Sequence, residues 1–321
     1  MTRTRRTLVT VALLALLALP LAAGKFYVDL VAKIMIMAVF AMSLDLLVGV
    51  TGLVSLGHAA FFGLASYVLV LAAPDQYTAV SLWTSLPLAV AACALAALVI
   101  GALALRTRGV YFIMVTLAFS QMIYFVFHDT KVAGGSDGTY IYVKPSASVG
   151  GWSPFDLNTG THFYYAMLAL LVLVFAFLRM LLASRFGHAL RGIRSNEQRM
   201  RALGFNTYFY KLAAFTIAGA VAGVAGYFAA VQFGFVNPEM LAWHQSANVL
   251  LMVILGGMGN LVGAIVGAFA FVLLQDFFSS LTKHWLLPMG SFVILAVMLL
   301  PGGLTRAGET WRFWRFGGRD G

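Results

Sequence analysis

The sequence predicts an all-α polytopic transmembrane helix bundle of about nine spans plus a half-span, counted at the length a helix needs to cross a bilayer. Some of its helices are broken by glycine, and one short helix lies on the cytoplasmic side. Three observations carry this. Of 321 residues, 61% are hydrophobic and 10% charged, with a mean hydropathy of +0.91, whereas soluble globular chains are about 25% charged. Apolar runs of spanning length recur along the chain, and the cations cluster in segments that one threading puts on a single side. This composition excludes a soluble enzyme, a disordered chain and a disulfide scaffold, since Cys93 is the sole cysteine and one thiol supports no redox or metal argument.

Arg3, Arg5 and Arg6 precede the first apolar run, Leu8 to Ala23, so residues 1–27 read as an N-terminal anchor. With Ala22-Ala23-Gly24 after the run, they also fit a cleavable secretory signal. Residues 28–305 read as the transmembrane body. Its runs are Val28 to Val50, His58 to Ala73, Leu86 to Leu105, Val110 to Phe127, Phe163 to Leu182, Leu212 to Phe233, Leu261 to Phe277 and Leu286 to Leu300, and Gln245 to Leu255 is half a span. Alternation places Arg106 and Arg108, the segment with Arg185, Arg191, Arg194, Arg199 and Arg201, and the basic tail 306–321 (Arg306, Arg312, Arg315, Arg319) with the N-terminus. The positive-inside rule makes that side cytoplasmic. The net charge of +10 is thus explained by topology, with no nucleic-acid partner. The expected location is the bacterial inner membrane, with both termini cytoplasmic.

Two connections stand out. The outer one, 128–162, contains Gly134-Gly135-Ser136-Asp137-Gly138 and then Trp152, Pro154 and Phe155. Long loops of this kind are usually functional or disordered, and the aromatics and glycines favour an ordered gate or docking surface over a solvated spacer. The cytoplasmic one, 184–211, has Ser195 three residues before Gln198, a capping box, and Gly204 at a C′ position. A helix of about two turns is expected over Asn196 to Leu203, with Met200 and Leu203 on one face and Glu197 in line. So short a helix needs a partner to pack into. The bland alternative is a basic loop lying on lipid headgroups.

Two apolar stretches are interrupted by glycine. The first runs from Asp45 through Gly49, Thr51, Gly52, Ser55, Gly57 and His58 to Gly63, and the second holds Gly256, Gly257, Gly259, Asn260 and Gly263. Backbone unwound at membrane depth persists only where protein or a water-filled path satisfies it, and paired interruptions in two halves of a chain point to a path between internal repeats. An embedded acid such as Asp45 is by default a functional hypothesis; the bland reading has it paired locally with Ser43 or Thr51, fixing a bend. Gln121 and Ser120 offer polar groups to the path or to an interhelical hydrogen bond. Lys33, four residues after Asp29, reads as its ion-pair partner. There is no P-loop, because the only Gly-Lys, Gly24-Lys25, precedes Phe26. Neither a zinc-type spacing nor a Gly-x-Ser-x-Gly motif is present, so no ATP hydrolysis or other catalysis is expected from this chain, and no cofactor or metal.

With these residues the chain resembles the permease subunits of branched-chain amino acid ABC importers, of the type paired with a second, related permease. The motifs are Ser43-Leu-Asp45-Leu-Leu-Val-Gly49 running into Gly52-Leu-Val-Ser55-Leu-Gly57-His58; Gly134 to Gly138; Arg185-Phe-Gly187 through Arg194, Asn196 and Glu197 to Gly204 and Tyr210-Lys211; and Gly256-Gly-Met-Gly259 with Pro301-Gly-Gly-Leu304. The resemblance covers most of the chain from about residue 30. It implies a second permease, two ATPase subunits carrying ATP-Mg, and a periplasmic solute-binding protein. It also implies that Arg191, Arg194, Asn196, Glu197, Met200, Leu203 and Gly204 serve ATPase coupling, with Glu197 paired to a cation of the partner. One departure is Glu197-Gln198-Arg199, where ABC importers typically carry Glu-Ala-Ala before the glycine. Urea and short-chain amide permeases are similar, and an ion-coupled secondary transporter is the rival from another class, for which Asp45 is the one deep acid. A membrane enzyme on lipids lacks an acid/base pair.

Overall fold

The computed structural model describes residues 13–21, 23–73, 78–148, 156–300 and 302–306. The expectations placed on Arg3, Arg5, Arg6, Trp152, Pro154, Phe155, Pro301, Arg312, Arg315 and Arg319 lie outside the described residues. The helices are α1 (13–21), α2 (Lys25–Asp45), α3 (Ala59–Leu71), α4 (Leu82–Ala104), α5 (Val110–Asp129), α6 (Gly160–Ala183), α7 (Arg185–Ser195), α8 (Glu197–Ala202), α9 (Thr207–Phe233), α10 (Trp243–Gly256), α11 (Leu261–Leu281) and α12 (Leu286–Leu299). Among the described residues, six helical segments are long and apolar enough to cross a membrane: α2 with its extension to Thr51, α4, α5, α6, α9 and α11. Helices α3 and α12, of 13 and 14 residues, are apolar but shorter. The chain is an all-α polytopic membrane protein.

Helix α2 is the axis of the bundle. Its run Ile34-Met35-Ile36-Met37-Ala38-Val39-Phe40-Ala41-Met42 is buried without interruption, and a helix apolar all round belongs inside a core. It packs against α6, α9, α10 and α11. Its neighbour α9 approaches α3 and α4 through Gly219, Gly223 and Gly226: a Cβ at Gly219 would overlap Ala97, one at Gly226 would overlap the Phe62 carbonyl, and one at Gly223 would lie 2.8 Å from Cys93 Sγ. The facing stripe of α4, Ala89, Cys93 and Ala97, is equally small and fully buried. Small-residue faces let backbones approach where lipid supplies no hydrophobic drive between helices. By contrast, α5 buries only Phe112, Thr116, Ser120 and Phe127 and leaves large apolar residues on the surface.

The structure corrects three expectations. The arginine-rich segment read as loop begins with a helix, α7, whose Ala189, Leu190 and Ile193 are buried while Arg185, Arg191 and Arg194 stay outside. Because α7 runs through Ser195, that residue has helical backbone and is no N-cap; its hydroxyl bonds the Gly192 carbonyl at 2.8 Å. The cap of α8 is Asn196, whose side chain accepts the Arg199 N–H at 2.9 Å, so α8 covers only Glu197–Ala202. Thirdly, no ion pair joins Asp29 and Lys33 among the described residues. The Asp29 carbonyl accepts from Gln232 at 2.7 Å, and the Lys33 ammonium lies 5.9 Å from the Phe233 ring centroid.

Candidate gate between the two broken segments

After Asp45 the helix widens into a π turn, Leu46–Thr51, and stops at Gly52, whose φ of 75° suits a residue without Cβ. Wide turns of this kind collect at functional sites. Here the π turn brings Asp45 and Gly49 against the second interruption, which follows α10. Asp45 Oδ1 accepts the Gly259 N–H at 2.7 Å, and Gly259 holds φ 81°. A Cβ at Gly49 would overlap both the Asp45 carboxylate and the Gly259 backbone, so the two glycines permit the contact that the acid makes. From α7, Arg194 Nη1 donates to the Gly49 carbonyl, and its side-chain stem lies over Gly52. Four elements meet at one point: α2, the π turn, the 257–260 loop and α7.

The local partners that the bland reading gave Asp45 are engaged elsewhere. Ser43 donates to the Phe40 carbonyl at 2.7 Å and lies 2.8 Å from His58 Nε2, while Thr51 donates to the Leu47 carbonyl at 2.6 Å. Asp45 instead uses a backbone N–H 214 residues away. The structure scatters the other candidates. Ser55 is fully buried and accepts from the Gly57 N–H at 3.3 Å. A Cβ at Gly57 would overlap the Thr116 carbonyl of α5. His58 is fully buried and stacks on Phe40, with ring centroids 5.6 Å apart. Gln121 sits on α5 with a buried Nε2 that has no hydrogen-bond partner among the described residues. Ser55, Gly57 and His58 join the first interruption to the core.

Around the second interruption, the Asn260 side chain caps α11 by accepting the Val262 N–H at 3.2 Å. Thr305 closes over it, donating to the Gly256 carbonyl at 2.9 Å. A Cβ at Gly256 would overlap the Gly263 carbonyl, and one at Gly257 would come within 2.6 Å of the Gly302 carbonyl. On the α7 side, a cavity of about 860 Å³ is lined by Thr51, Gly52, Arg106, Arg108, Arg194 and Lys211. At the opposite end, Gly134, Gly135 and Gly138 take positive φ, with Ser136 and Asp137 exposed between them. They turn the chain into a two-residue strand, β1 (Thr139–Tyr140), antiparallel to β2 (Phe235–Val236).

The α8 carboxylate is already occupied. Glu197 binds Lys211 Nζ at 2.7 Å, Arg201 at 2.6 Å and the Thr207 hydroxyl at 3.0 Å, so it ties α8 to the start of α9 and does not stand free for a partner's cation. Met200 folds back over Gly192, whereas Leu203 is 66% exposed. Gly204, with φ 88°, reverses the chain, and the bonds Phe205 N–H to Met200 carbonyl and Gly204 N–H to Arg201 carbonyl form a Schellman end. Partial burial opposes the charge of Glu197, but the hydrogen bond and charge of Lys211, helped by Thr207 and Arg201, outweigh it and bring the carboxyl from 4.5 to about 2. A depressed carboxylate contributes stability above its unfolded value and loses it as the pH falls through the folded one. A nitroxide at Leu203→Cys should therefore be more mobile with Glu197→Gln than with wild-type Glu197 at neutral pH, and the difference should vanish between 4.5 and about 2. Equal mobility at neutral pH would show that Glu197 does not anchor α8.

Comparison with known proteins follows the same lines. A family model described as "Branched-chain amino acid transport system / permease component" matches residues 26–301. The chain is 32% identical over 320 residues to the high-affinity branched-chain amino acid transport system permease protein LivM of Escherichia coli K12, covering 94% of this chain and 75% of that protein. It is also 32% identical over 306 residues to LivM of Salmonella typhimurium, covering 89% and 72%. An autoinducer 2 import system permease protein, LsrC of Photorhabdus laumondii, is 30% identical over 147 residues, 44% of each chain. No solved structure matches the chain. Both of the interruptions that meet at Asp45 and Gly259 fall within the matched residues, and the chain belongs to the family of branched-chain amino acid transport system permease components.

Proposed function

We propose that this permease component forms half of a paired translocation path in an ATP-driven importer of the bacterial inner membrane and carries branched-chain amino acids. The reading is supported by identity to two LivM proteins along nearly the whole chain. The partners are a second, related permease, two ATPase subunits that hold ATP-Mg, and a periplasmic solute-binding protein. In this reading the chain makes nine spans plus the half-span α10, with both termini and α7–α8 in the cytoplasm, which the positive-inside rule supports. Outside the transmembrane body lie the N-terminal segment 1–27 and the basic tail 306–321.

The observation that carries the mechanism is the junction of Asp45, Gly49, Gly259 and Arg194. Asp45 and Gly259 close the inner end of the path by tying the two interruptions together, and Arg194 links that closure to α7. Movement of α7–α8 by a nucleotide-driven ATPase then pulls on the Gly49 carbonyl and frees Gly259 from Asp45. Leu203 and the exposed face of α8 supply the docking contact. The carbonyls of the unwound 46–52 and 257–260 segments pass a zwitterion without holding it, because affinity resides in the soluble receptor. Gly134 to Gly138, beside β1, belong to the surface that meets that receptor.

The test is uptake by proteoliposomes holding the complete complex. Leucine uptake is expected to require ATP and the binding protein and to survive ionophores that collapse ion gradients, while this chain alone hydrolyses no ATP. Uptake driven by a sodium or proton gradient without ATP would overturn the assignment in favour of a secondary transporter. Transport of urea but not leucine would move the substrate class to the amides.

A further inference from the structure

A second cavity, of about 450 Å³, opens beside the middle of α2, at Lys33 and Met37. Its volume falls within the roughly 300–1,000 Å³ typical of small-molecule sites. The lining is sorted by chemistry. One part carries Lys33 and Glu239, with the amides of Asn237, Gln245, Asn248 and Gln275; the other is apolar, with Met37, Met252 and Phe271 among its residues. Neither Lys33 nor Glu239 is in an ion pair among the described residues. Lys33 sits eight residues inside a helix whose spanning stretch is otherwise almost wholly apolar, where an unpaired cation is costly and marks a function by default. The bland role of pairing with Asp29 is removed by the geometry above. The face of Phe233 lies 5.9 Å from the ammonium.

The position of the cavity adds a second argument. Lys33, Met37, Ala41 and Asp45 follow one another at intervals of four along α2, a continuous ridge on a helix surface. Lys33 and Met37 line the cavity, Ala41 is fully buried, and Asp45 closes the gate about 18 Å below Lys33 at 1.5 Å per residue. Along this ridge the fully buried Ala41 separates the cavity, which would be an upper chamber on the path proposed above, from the Asp45–Gly259 closure.

Resting on the branched-chain reading and the topology proposed above, we infer that this chamber is a transient binding site for a zwitterionic amino acid with an aliphatic side chain. Lys33 receives the carboxylate, Glu239 and the neighbouring amides receive the ammonium, and the Met37, Met252 and Phe271 wall receives the aliphatic side chain. A cation, an acid and an apolar wall in one cavity match the three parts of such a molecule. Urea, which is neutral and lacks an aliphatic part, uses neither the charges nor the wall. The amino acid released by the receptor therefore meets an oriented site before the inner gate opens.

The experiment uses the complete importer in proteoliposomes with saturating binding protein, and reads leucine moved per ATP hydrolysed. Loss of a charge-assisted hydrogen bond corresponds to about a tenfold effect. Lys33→Gln and Glu239→Gln should each lower the ratio by about that factor, and Lys33→Arg should restore it to within about twofold, since it returns the charge. Ratios within twofold of wild type in both glutamine variants would overturn the inference while leaving the permease reading intact. A loss with Lys33→Gln that Lys33→Arg fails to restore would also overturn it, because the lysine would then serve packing. If the wild-type complex moves no leucine, the branched-chain reading itself fails, and the chamber assignment fails with it.

Discussion

Substituting Arg194 with glutamine is expected to cut leucine uptake by the assembled complex about tenfold or more while the ATPase subunits still co-purify. The guanidinium donates to the Gly49 carbonyl inside the π turn, and a hydrogen bond to a charged group is worth about 1.5–3 kcal/mol. Without it, α7 and the gate are no longer joined through this bond, so nucleotide-driven motion of α7 would turn over ATP without moving the closure. Arg194→Lys should rescue only in part, because an ammonium lacks the planar, rigid fork of arginine. Met200→Asp is the informative contrast. Its side chain packs on Gly192 at the α7–α8 turn, and an acid there should weaken ATPase retention itself. Full uptake in Arg194→Gln at wild-type expression would separate α7 from the gate and return Arg194 to the topology-setting arginines.

An equally large effect is expected from adding one methyl group at Gly49. The new Cβ would overlap the Asp45 carboxylate and the Gly259 amide, and both are held by a 2.7 Å hydrogen bond. Either the interruptions separate or the π turn rearranges. Overpacking of this kind costs about 1–3 kcal/mol, and a Gly259 N–H left without its acceptor costs a further 1–3 kcal/mol or so. Gly49→Ala should therefore lower thermal stability measurably and reduce uptake below about a tenth. Gly290→Ala in α12 is the control, since nothing lies within 4 Å of the added carbon; alanine there should be neutral or slightly stabilising. Comparable stability and transport for the two variants would mean that the Gly49 approach is not a constraint on the gate.

Much of the architecture was legible in the chain itself. The spanning segments follow from unbroken apolar runs, because a bilayer demands length and hydrophobicity whatever the partners. The places where the chain leaves the helix follow from glycine, as at Gly52, Gly204 and Gly257, each with positive φ. Helix α7 was hidden because its arginines mask a four-residue apolar period, and its buried face acquires a meaning only when other helices lie beneath it. The end of α8 was readable from Gly204, but its start was not: a serine with a glutamine three residues on is a cap only if the preceding chain is extended, and there it is helical.

The site divided in the same way. Asp45 and Gly259 were each conspicuous as an embedded acid and a glycine break, since burial of charge and loss of helix are costs visible in local sequence. Their hydrogen bond, the reach of Arg194 to Gly49, and the meeting of Lys33 with Glu239 in one cavity join residues 145 to 214 positions apart. Periodicity and propensity act over a few turns and contain no information about such pairings. Local sequence was enough to mark which segments are apolar enough to span a bilayer, where they break and which family the chain belongs to. Which breaks touch, and which charges lie outside ion pairs among the described residues, came from packing, because those outcomes depend on how closely the small-residue faces of α3, α4, α9, α10 and α11 allow whole helices to approach.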